Sequence, residues 1–474
     1  MLFSSNIFLF LFLPVTLTGY YLLNVSYRNN FLLIMSLFFY AWGEPKFVIA
    51  MLCSIIFNYA ITMLINCTDQ QQALRKTIFI IGIAGNLGLL FTFKYLDFFI
   101  INLNHIGLNF KLANITLPIG ISFFTFQAMS YVIDVYRGQV EVQKKPHRVG
   151  LYISLFPQLI AGPIVRYKTI ESQMEHRQVN FESFSEGVRR FLIGFSKKVL
   201  LANNMALIAD KAFLLPAAQR SIIYAWLGAI AYSFQILFDF SGYSDMAIGL
   251  GAMFGFHFLE NFNYPYISKS ISEFWRRWHM SLGQWFRDYV YFPLGGSRVK
   301  TKARLVFNLV VVWLLTGAWH GASWNFVLWG LMYCVLITFE KLTGYPQKFK
   351  NKLAITAYQI FTLLCVLIGW VLFRAPGTKA AIQYGLSMFG LRGNQFICDN
   401  VILTFREYWV FLLAALICST ELIKKGREVL NNSEWIHLRS TVNTISIGFY
   451  MFCFIWAVSF LILGAYNPFI YFNF

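Results

Sequence analysis

Long apolar stretches separated by short polar segments run along the whole 474-residue chain. A helix needs about 20 predominantly apolar residues to cross the hydrocarbon core of a bilayer, and stretches such as Thr77 to Phe93 and Ile355 to Phe373 approach that length. The pattern therefore predicts an all-α polytopic membrane protein with about 11–12 transmembrane helices. The predicted spans lie near residues 7–24, 30–42, 47–66, 77–93, 117–135, 186–206, 222–240, 305–319, 322–341, 355–373, 407–423 and 442–464. The first span lacks a basic flank and a small-residue cleavage site, so we expect a transmembrane helix rather than a cleaved signal peptide.

Three regions do not fit the pattern of a plain spanning helix. Residues 149–165 are apolar but short and interrupted by prolines, residues 241–270 mix glycines with acids, and residues 271–300 alternate aromatic and cationic side chains. Irregular backbone survives at membrane depth only where protein shields it or where it lines a cavity. We therefore expect re-entrant or interfacial elements around a site open to the cytosol. The alternative is a set of cytoplasmic loops with amphipathic helices on the bilayer surface.

Composition supports the membrane assignment and restricts the classes of function. The chain is 58% hydrophobic and 13% charged, and its 51 Phe and 25 Tyr leave no polar face for a nucleic-acid-binding domain despite a net charge of +18. The positive-inside rule explains that charge, because an external N-terminus assigns most of the 39 Lys and Arg to cytoplasmic segments. Membrane lipids are therefore expected partners, and nucleic acid is not.

The seven cysteines do not form a pattern of metal ligands or disulfides. No CxxC pair is present, and an odd number of cysteines argues against a closed set of disulfides. We expect small buried hydrophobic residues at these positions and no metal centre.

His320 is an isolated titratable residue in an apolar segment, where such groups are costly and usually mark function. Gly317 and Gly321 flank it and would allow close approach of a ligand or a neighbouring helix. An imidazole can act as base and then as acid within one turnover, which attack by a hydroxyl or thiol on an acyl donor requires. The alternative is a histidine that only forms hydrogen bonds between helices.

His279 lies in a cationic and aromatic run from Phe274 to Asp288. Clustered arginines can bind phosphates and tryptophan faces can stack on flat groups, which suits a nucleotide-type donor such as coenzyme A. The alternative is an interfacial belt against anionic lipid headgroups. Acids near these segments are expected to neutralise cations or to orient a histidine. The candidate donor- or substrate-binding residues are Arg276, Arg277, Trp278, Arg287, Asp288, Trp319, Asn325 and Asp245.

Several segments of the chain resemble the membrane-bound O-acyltransferases, and in particular the bacterial alginate O-acetylase branch of that family. They are residues 274–296, Leu315 to Trp324, Leu117 to Gln127, Phe156 to Arg166, Phe238 to Asp245 and the opening Phe3 to Gly43, so the resemblance extends over most of residues 1–340. It implies one transmembrane domain over residues 1–474 with a central tunnel, a catalytic core at about residues 117–340 and C-terminal helices at about 355–464. The resemblance also implies that His320 is catalytic and that His279 is a second, supporting polar residue.

The resemblance further implies the reaction and its location. We expect an enzyme of the bacterial inner membrane that takes an acetyl group from cytoplasmic acetyl-CoA, a substrate rather than a bound cofactor, and delivers it to the far side. Extracytoplasmic relay proteins that resemble SGNH hydrolases would complete transfer to polysaccharide hydroxyls. His320 would be the general base, and His279 with nearby polar groups would hold the acyl carbonyl.

Two other functions remain open from the sequence. One is a D-alanyl transferase of teichoic-acid D-alanylation that takes its acyl group from a carrier protein, although the extra C-terminal spans fit the acetylase branch better. The other is a transporter or flippase without chemistry, which would favour broken helices in paired halves that the sequence lacks.

The distribution of cations makes the orientation of the chain testable. In a variant without the native cysteines, a cysteine at Gln143 should be shielded from an impermeant external thiol reagent, whereas a cysteine at Gly393 should react, because the two loops are predicted on opposite sides. Labelling of intact cells followed by mass spectrometry measures both. The reverse pattern would overturn the predicted orientation.

Overall fold

The computed structural model describes residues 1–431 and 436–470, and every regular element within them is helical. The first helices are α1 Leu13–Leu22, α2 Val25–Gly43, α3 Val48–Cys67, α4 Gln72–Leu90, α5 Leu96–His105, α6 Ile121–Tyr136, α7 Pro146–Ser154, α8 Phe156–Leu159, α9 Tyr167–His176 and α10 Phe181–Ser196. They are followed by α11 Asn203–Leu214, α12 Ile222–Met253, α13 Ile271–Arg277, α14 Met280–Phe286, α15 Lys302–His320, α16 Trp324–Thr343, α17 Lys352–Arg374, α18 Thr378–Met388, α19 Asp399–Cys418, α20 Leu422–Asn431 and α21 Ile436–Ile462. Short π-helical segments at Phe8–Phe12, Phe91–Tyr95, Lys197–Ala202 and Arg287–Tyr291 continue neighbouring helices.

Nine helical stretches of the described residues are long and apolar enough to cross a membrane. They are Val48–Cys67, Gln72–His105, Phe181–Leu214, Ile222–Met253, Lys302–His320, Trp324–Thr343, Lys352–Arg374, Asp399–Cys418 and Ser440–Ile462. Each contains most of one predicted span, so the expected all-α polytopic membrane fold is confirmed. The predicted spans near 7–24, 30–42 and 117–135 are also helical, but they correspond to the shorter apolar helix Phe8–Leu22, to α2 and to the 16-residue α6.

The chain divides into two compact units. The first comprises Met1–Phe191 and Met246–Glu260, and the second comprises Leu192–Asp245 and the chain from Asn261 onward. In the first unit, α6 is buried from Ile121 to Val135, α7 is buried from Val149 to Ser154, and the four-residue α8 is buried throughout. The expectation of broken, non-spanning structure over residues 149–165 is therefore confirmed.

The glycines between residues 241 and 253 do not interrupt a helix, so the prediction of a re-entrant element was wrong for this part. Helix α12 continues to Met253, and the irregular backbone begins after it. A Cβ atom on Gly242 would lie 2.7 Å from the carbonyl oxygen of Gly194, and one on Gly249 would lie 2.6 Å from that of Gly187. These glycines allow the helices to pack closely. From the sequence alone, a glycine with this role cannot be distinguished from one that ends a helix.

In the second unit, α15 and α16 form an antiparallel hairpin with closely packed backbones. A side chain on Gly317 would collide with the carbonyl of Phe326, and one on Gly330 would collide with that of Trp313. Gly317 was expected to allow close approach of a ligand or of a neighbouring helix, and in the structure it is α16 that approaches it. The short helices α13 and α14 cannot span a membrane. Helix α13 has seven residues and measures about 10 Å, and α14 measures less than about 20 Å even with its π-helical continuation to Tyr291.

A buried ion pair joins the helices around α12 to the C-terminal segment of the second unit. Lys198 lies 2.6 Å from Asp239, and their side chains are only 3% and 2% exposed. Lys198 also donates to Asn203 at 3.0 Å and to the carbonyl of Pro468, while Asp239 accepts from the backbone N–H of Ile470 at 2.9 Å. Each charge has at least one polar partner besides the ion pair, which helps to offset the cost of burial.

Removal of one partner should destabilise the protein strongly. Lys198→Ala would leave the Asp239 carboxylate buried without its cation, and we expect a loss of about 3–5 kcal/mol in the free energy of unfolding. Tryptophan fluorescence during heating in detergent measures the accompanying fall in melting temperature. The control is Lys424→Ala, which breaks an exposed pair with Glu428 and should cost less than about 1 kcal/mol. Equal shifts for both variants would contradict a structural role for the buried pair.

Candidate active site

His320 ends α15 inside a group of aromatic rings. Its side chain is 4% exposed, and its ring centroid lies 4.9 Å from that of Trp319, 5.1 Å from that of Trp329 and 5.2 Å from that of Phe373. All three contacts are edge-to-face, so the imidazole occupies a buried and well-defined position. Such surroundings strengthen hydrogen bonds made by the ring.

His279 links α13 to α14 and adopts a left-handed backbone conformation with a φ of 44°. The side chain is 2% exposed, its Nδ1 lies 3.2 Å from Oδ1 of Asn261, and its ring packs against Phe240 at 4.6 Å. His279 lies outside the nine membrane-length helices, and burial lowers its pKa to about 3. The ring is therefore neutral at physiological pH.

Trp319 brings the two histidines into one site. Its ring centroid lies 4.9 Å from that of His320 and 5.8 Å from that of His279. The two imidazoles therefore share one indole neighbour, although 40 residues separate them in the chain. The juxtaposition depends on α13, since that helix leads directly to His279.

Helix α13 is held among longer helices by its first turn. Both oxygens of the buried Glu340 accept from backbone N–H groups, at 2.7 Å from Ile271 and 2.8 Å from Ser272. The hydroxyl of Ser270 accepts from Glu273 at 3.0 Å and completes the N-cap. These acceptors satisfy N–H groups that a helix start otherwise leaves without partners.

Aromatic packing fixes the rest of α13. Trp275 lies 5.0 Å from Trp313, 5.4 Å from Trp329 and 4.9 Å from Tyr333, so it packs between α15 and α16. Trp278 is buried against Trp370 of α17 at 4.7 Å. Helix α13 thus lies inside the helical bundle of its unit, which favours the re-entrant interpretation over a surface loop.

Most of the residues predicted to bind the donor have protein partners in this structure. Arg277 pairs with Glu273 at 2.9 Å and with Glu421 at 3.6 Å, and Arg287 pairs with its neighbour Asp288 at 2.8 Å. The cations of Arg277 and Arg287 are therefore partly neutralised before any ligand binds. Trp278 lies in the core, so it does not offer an open face for stacking.

Asp245 and Asn325 also have structural partners, while Arg276 is exposed. Asp245 pairs with Lys197 at 2.7 Å, as expected for an acid that neutralises a cation. Asn325 accepts from Ser323 and donates to the carbonyl of Ala375 at 3.1 Å, which ties the start of α16 to the end of α17. Among the described residues Arg276 has no ion-pair partner, and its exposure leaves it accessible to an anionic ligand.

Two residues of the site, Glu340 and Asn261, belong to no motif that would predict them. Glu340 has one signal in the sequence, since it is the only acidic residue between Asp288 and Asp399. A lone acid in an apolar helix indicates a specific buried partner. Asn261 has no comparable signal, because an asparagine between aromatic residues is typical of many loops.

Charge and candidate chemistry lie at opposite ends of the α15–α16 hairpin. Helix α15 has 19 residues, so about 28 Å separates Lys302 from His320. Because the hairpin is antiparallel, Lys341 of α16 lies at the same end as Lys302. The exposed cations at this end, called the cationic end below, are Arg298, Lys300, Lys302, Arg304, Lys341, Lys348, Lys350 and Lys352.

Two buried imidazoles lie beside one indole in a helical membrane protein, and a cluster of exposed cations lies one helix length away. These are features of a membrane-embedded enzyme. The profile of the membrane-bound O-acyltransferase family matches residues 37–360, which is more than half of the chain. The chain belongs to this family and is an O-acyltransferase.

The curated relatives are named for acyl transfer involving alginate, peptidoglycan or teichoic acid. The protein named "Probable alginate O-acetylase AlgI" from Pseudomonas aeruginosa is 45% identical over 396 residues, which cover 82% of this chain and 75% of the relative. A peptidoglycan O-acetyltransferase from Helicobacter pylori is 34% identical and is covered to 98%, with 100% of this chain aligned. A teichoic acid D-alanyltransferase from Bacillus subtilis is 32% identical over 55% of this chain and 69% of its own length.

Proposed function

We propose that this O-acyltransferase takes an acetyl group from cytoplasmic acetyl-CoA and passes it across the membrane for O-acetylation of an extracytoplasmic polysaccharide, alginate or a similar polymer. The observation that carries the proposal is the pair of buried histidines, His279 and His320, on either side of Trp319. The names of the relatives from Pseudomonas aeruginosa and Helicobacter pylori support acetyl as the acyl group and a cell-envelope polymer as the acceptor.

His320 is the general base in this proposal. It takes the proton from the accepting hydroxyl while the hydroxyl oxygen attacks the thioester carbonyl, so a C–O bond forms and the C–S bond breaks. The proton then passes from His320 to the leaving thiolate sulfur, and the base is regenerated. His279 is a supporting group that touches the same substrates.

The separation of charge from chemistry supports a donor with an anionic head and a long uncharged arm. Phosphates of coenzyme A would bind at the cationic end, and the arm would extend along the hairpin toward His320, about 28 Å away. With the cationic end facing the cytoplasm of a bacterial inner membrane and the N-terminus outside, only the acetyl group would cross. Extracytoplasmic proteins that resemble SGNH hydrolases would then complete the transfer.

A D-alanyl transferase is the second candidate, because the Bacillus subtilis relative matches more than half of this chain. The relatives named as O-acetyltransferases match a larger share of it, which favours acetyl transfer. The donor discriminates between the two: turnover with acetyl-CoA alone supports the acetylase, whereas dependence on an aminoacylated carrier protein supports the D-alanyl transferase. The family assignment argues against a transporter without chemistry.

The shared site predicts a non-additive pair of variants. His320→Ala should lower single-turnover acetyl transfer by about 10²–10⁴-fold, since it removes the base, and His279→Ala should cut the rate strongly without abolishing it. The double variant should be no slower than His320→Ala alone, because groups that act in one step are not additive. Radiolabelled acetyl-CoA with purified, detergent-solubilised protein and its acceptor gives the rates. If His279→Ala left the rate unchanged and His320→Ala lowered it only mildly, the shared site would be refuted. The catalytic group would then be sought among three polar residues of α12, which are Asp239, Tyr243 and Asp245.

The exposed arginine of α13 should bind the donor. Arg276→Ala should raise the KM for acetyl-CoA on the order of tenfold with kcat unchanged, because a charge-assisted hydrogen bond to an uncharged oxygen of the donor arm is lost. Added salt should weaken donor binding in the wild-type protein, because it screens the cationic end from the phosphates. Steady-state kinetics at two salt concentrations measure both effects. Arg392→Ala removes an exposed cation from a predicted outer loop and should leave KM unchanged. An unaltered KM in Arg276→Ala would assign this arginine to lipid headgroups instead.

A further inference from the structure

Asn261 holds the loop that carries His279 by both its side chain and its backbone. Its side chain is 1% exposed, and Oδ1 accepts from the backbone N–H of Ser281 at 3.1 Å and from the Ser281 hydroxyl at 2.9 Å. Its backbone carbonyl accepts from Met280 N–H at 2.9 Å, and the N–H of Asn263 donates to the backbone carbonyl of Arg277 at 2.9 Å. The left-handed conformation of His279 is unfavourable for a residue with a side chain, and these four bonds stabilise it.

The bond from Ser281 determines which way the Asn261 amide points. A backbone N–H can only donate, so the atom that faces it must be the carbonyl oxygen and not the amide nitrogen. The oxygen also faces Nδ1 of His279 at 3.2 Å. Since an amide oxygen can only accept, Nδ1 must be the protonated nitrogen of the imidazole.

The tautomer of His279 follows from this assignment. A neutral imidazole carries one proton, so a proton on Nδ1 leaves a lone pair on Nε2. Burial keeps the ring neutral, because it lowers the pKa of His279 to about 3. In this state Nε2 accepts a hydrogen bond and cannot donate one to a carbonyl oxygen.

We propose that Asn261 is a positioning residue that fixes His279 as its Nδ1–H tautomer, so that Nε2 accepts a hydrogen bond from an N–H or O–H group of the substrate. The role rests on the proposed acetyl transfer. It replaces the expectation that His279 holds the acyl carbonyl. A donor arm that extends from the cationic end toward His320 offers amide N–H groups suited to this acceptor.

Charged groups around His279 do not offer an alternative explanation of its tautomer. The two acids of α12 pair with lysines, Asp239 with Lys198 and Asp245 with Lys197. On the same helix Tyr243 is a neutral phenol that packs against Phe469. In α15, His320 contacts Trp319, while Lys302 and Arg304 lie at the opposite end of the helix. On its own element, Arg277 pairs with Glu273 and Glu421. The polar contact to Nδ1 is made by the neutral amide of Asn261.

The tautomer can be measured without any assay of activity. In protein labelled with ¹⁵N-histidine, solid-state NMR distinguishes a protonated from an unprotonated ring nitrogen, and the difference from His279→Gln assigns the signals. We expect a protonated Nδ1 and an unprotonated Nε2 in the wild-type protein. A protonated Nε2 would overturn the proposal. A correct tautomer in a protein that does not transfer acetyl from acetyl-CoA would instead refute the proposed function.

Variants of Asn261 separate positioning from folding. Asn261→Leu removes the acceptor and should lower kcat/KM at least tenfold, whereas Asn261→Asp keeps an acceptor and should retain most activity at neutral pH. The new carboxylate would favour the charged imidazolium and raise the pKa of His279, so kcat/KM should fall at a higher pH than in the wild-type protein as the pH is lowered. A purely structural role would leave this profile unmoved.

Ser281→Ala is the matched control for this loop. It removes the hydroxyl bond to Asn261 but leaves the backbone bond and the contact with His279, so it should keep the wild-type tautomer and pH profile. Two results together would overturn the proposal. Ser281→Ala and Asn261→Leu would lose activity equally, and Asn261→Asp would keep the pH profile of the wild-type protein. If Asn261→Leu fails to fold, Asn261→Asp and the wild-type NMR measurement still decide the question.

Discussion

The two hydrogen bonds that Glu340 accepts from the first turn of α13 support the rest of the site. A seven-residue helix has too few internal bonds to be stable alone, and its free N–H groups are costly in apolar surroundings. Glu340 satisfies two of them with one charged side chain, and Tyr358 donates to the same carboxylate at 3.1 Å. With its start fixed, α13 leads to Trp278 and His279 at defined positions among longer helices. The location of a histidine that belongs to no long helix therefore depends on a carboxylate in a different helix.

The sequence predicted the long helices well because their signal is strong and local. An apolar stretch of spanning length has few other interpretations, and nine predicted spans are found as membrane-length helices. The segment from Gly242 to Met253 was misjudged because glycine either ends a helix or lets another backbone approach it. The positions of Gly194 and Gly187 distinguish the two cases, and those positions depend on tertiary structure.

The candidate site was predictable where a residue stands out from its neighbours. His320 and His279 differ from the apolar and aromatic residues beside them, and the structure brings both to Trp319. The role of Arg277 could not be predicted in this way, because the sequence does not show whether an arginine is free or is neutralised by a distant acid such as Glu421. Asn261 gains its importance only from the N–H of Ser281 and the ring of His279, which meet it after folding.

The neutral state of His279 fits a reaction in which little net charge enters the site. A buried imidazolium would need a buried counter-ion, and the acids of the second unit nearest in the chain, Glu273 and Asp288, already have cationic partners. A neutral thioester and a hydroxyl need no such compensation until the reaction begins, when charge separates between the base and the reacting oxygen. The aromatic rings around His320 exclude water and so strengthen the interactions that stabilise that charge. Phosphate groups would be costly in the same surroundings, which is a physical reason for cations to lie a full helix length away.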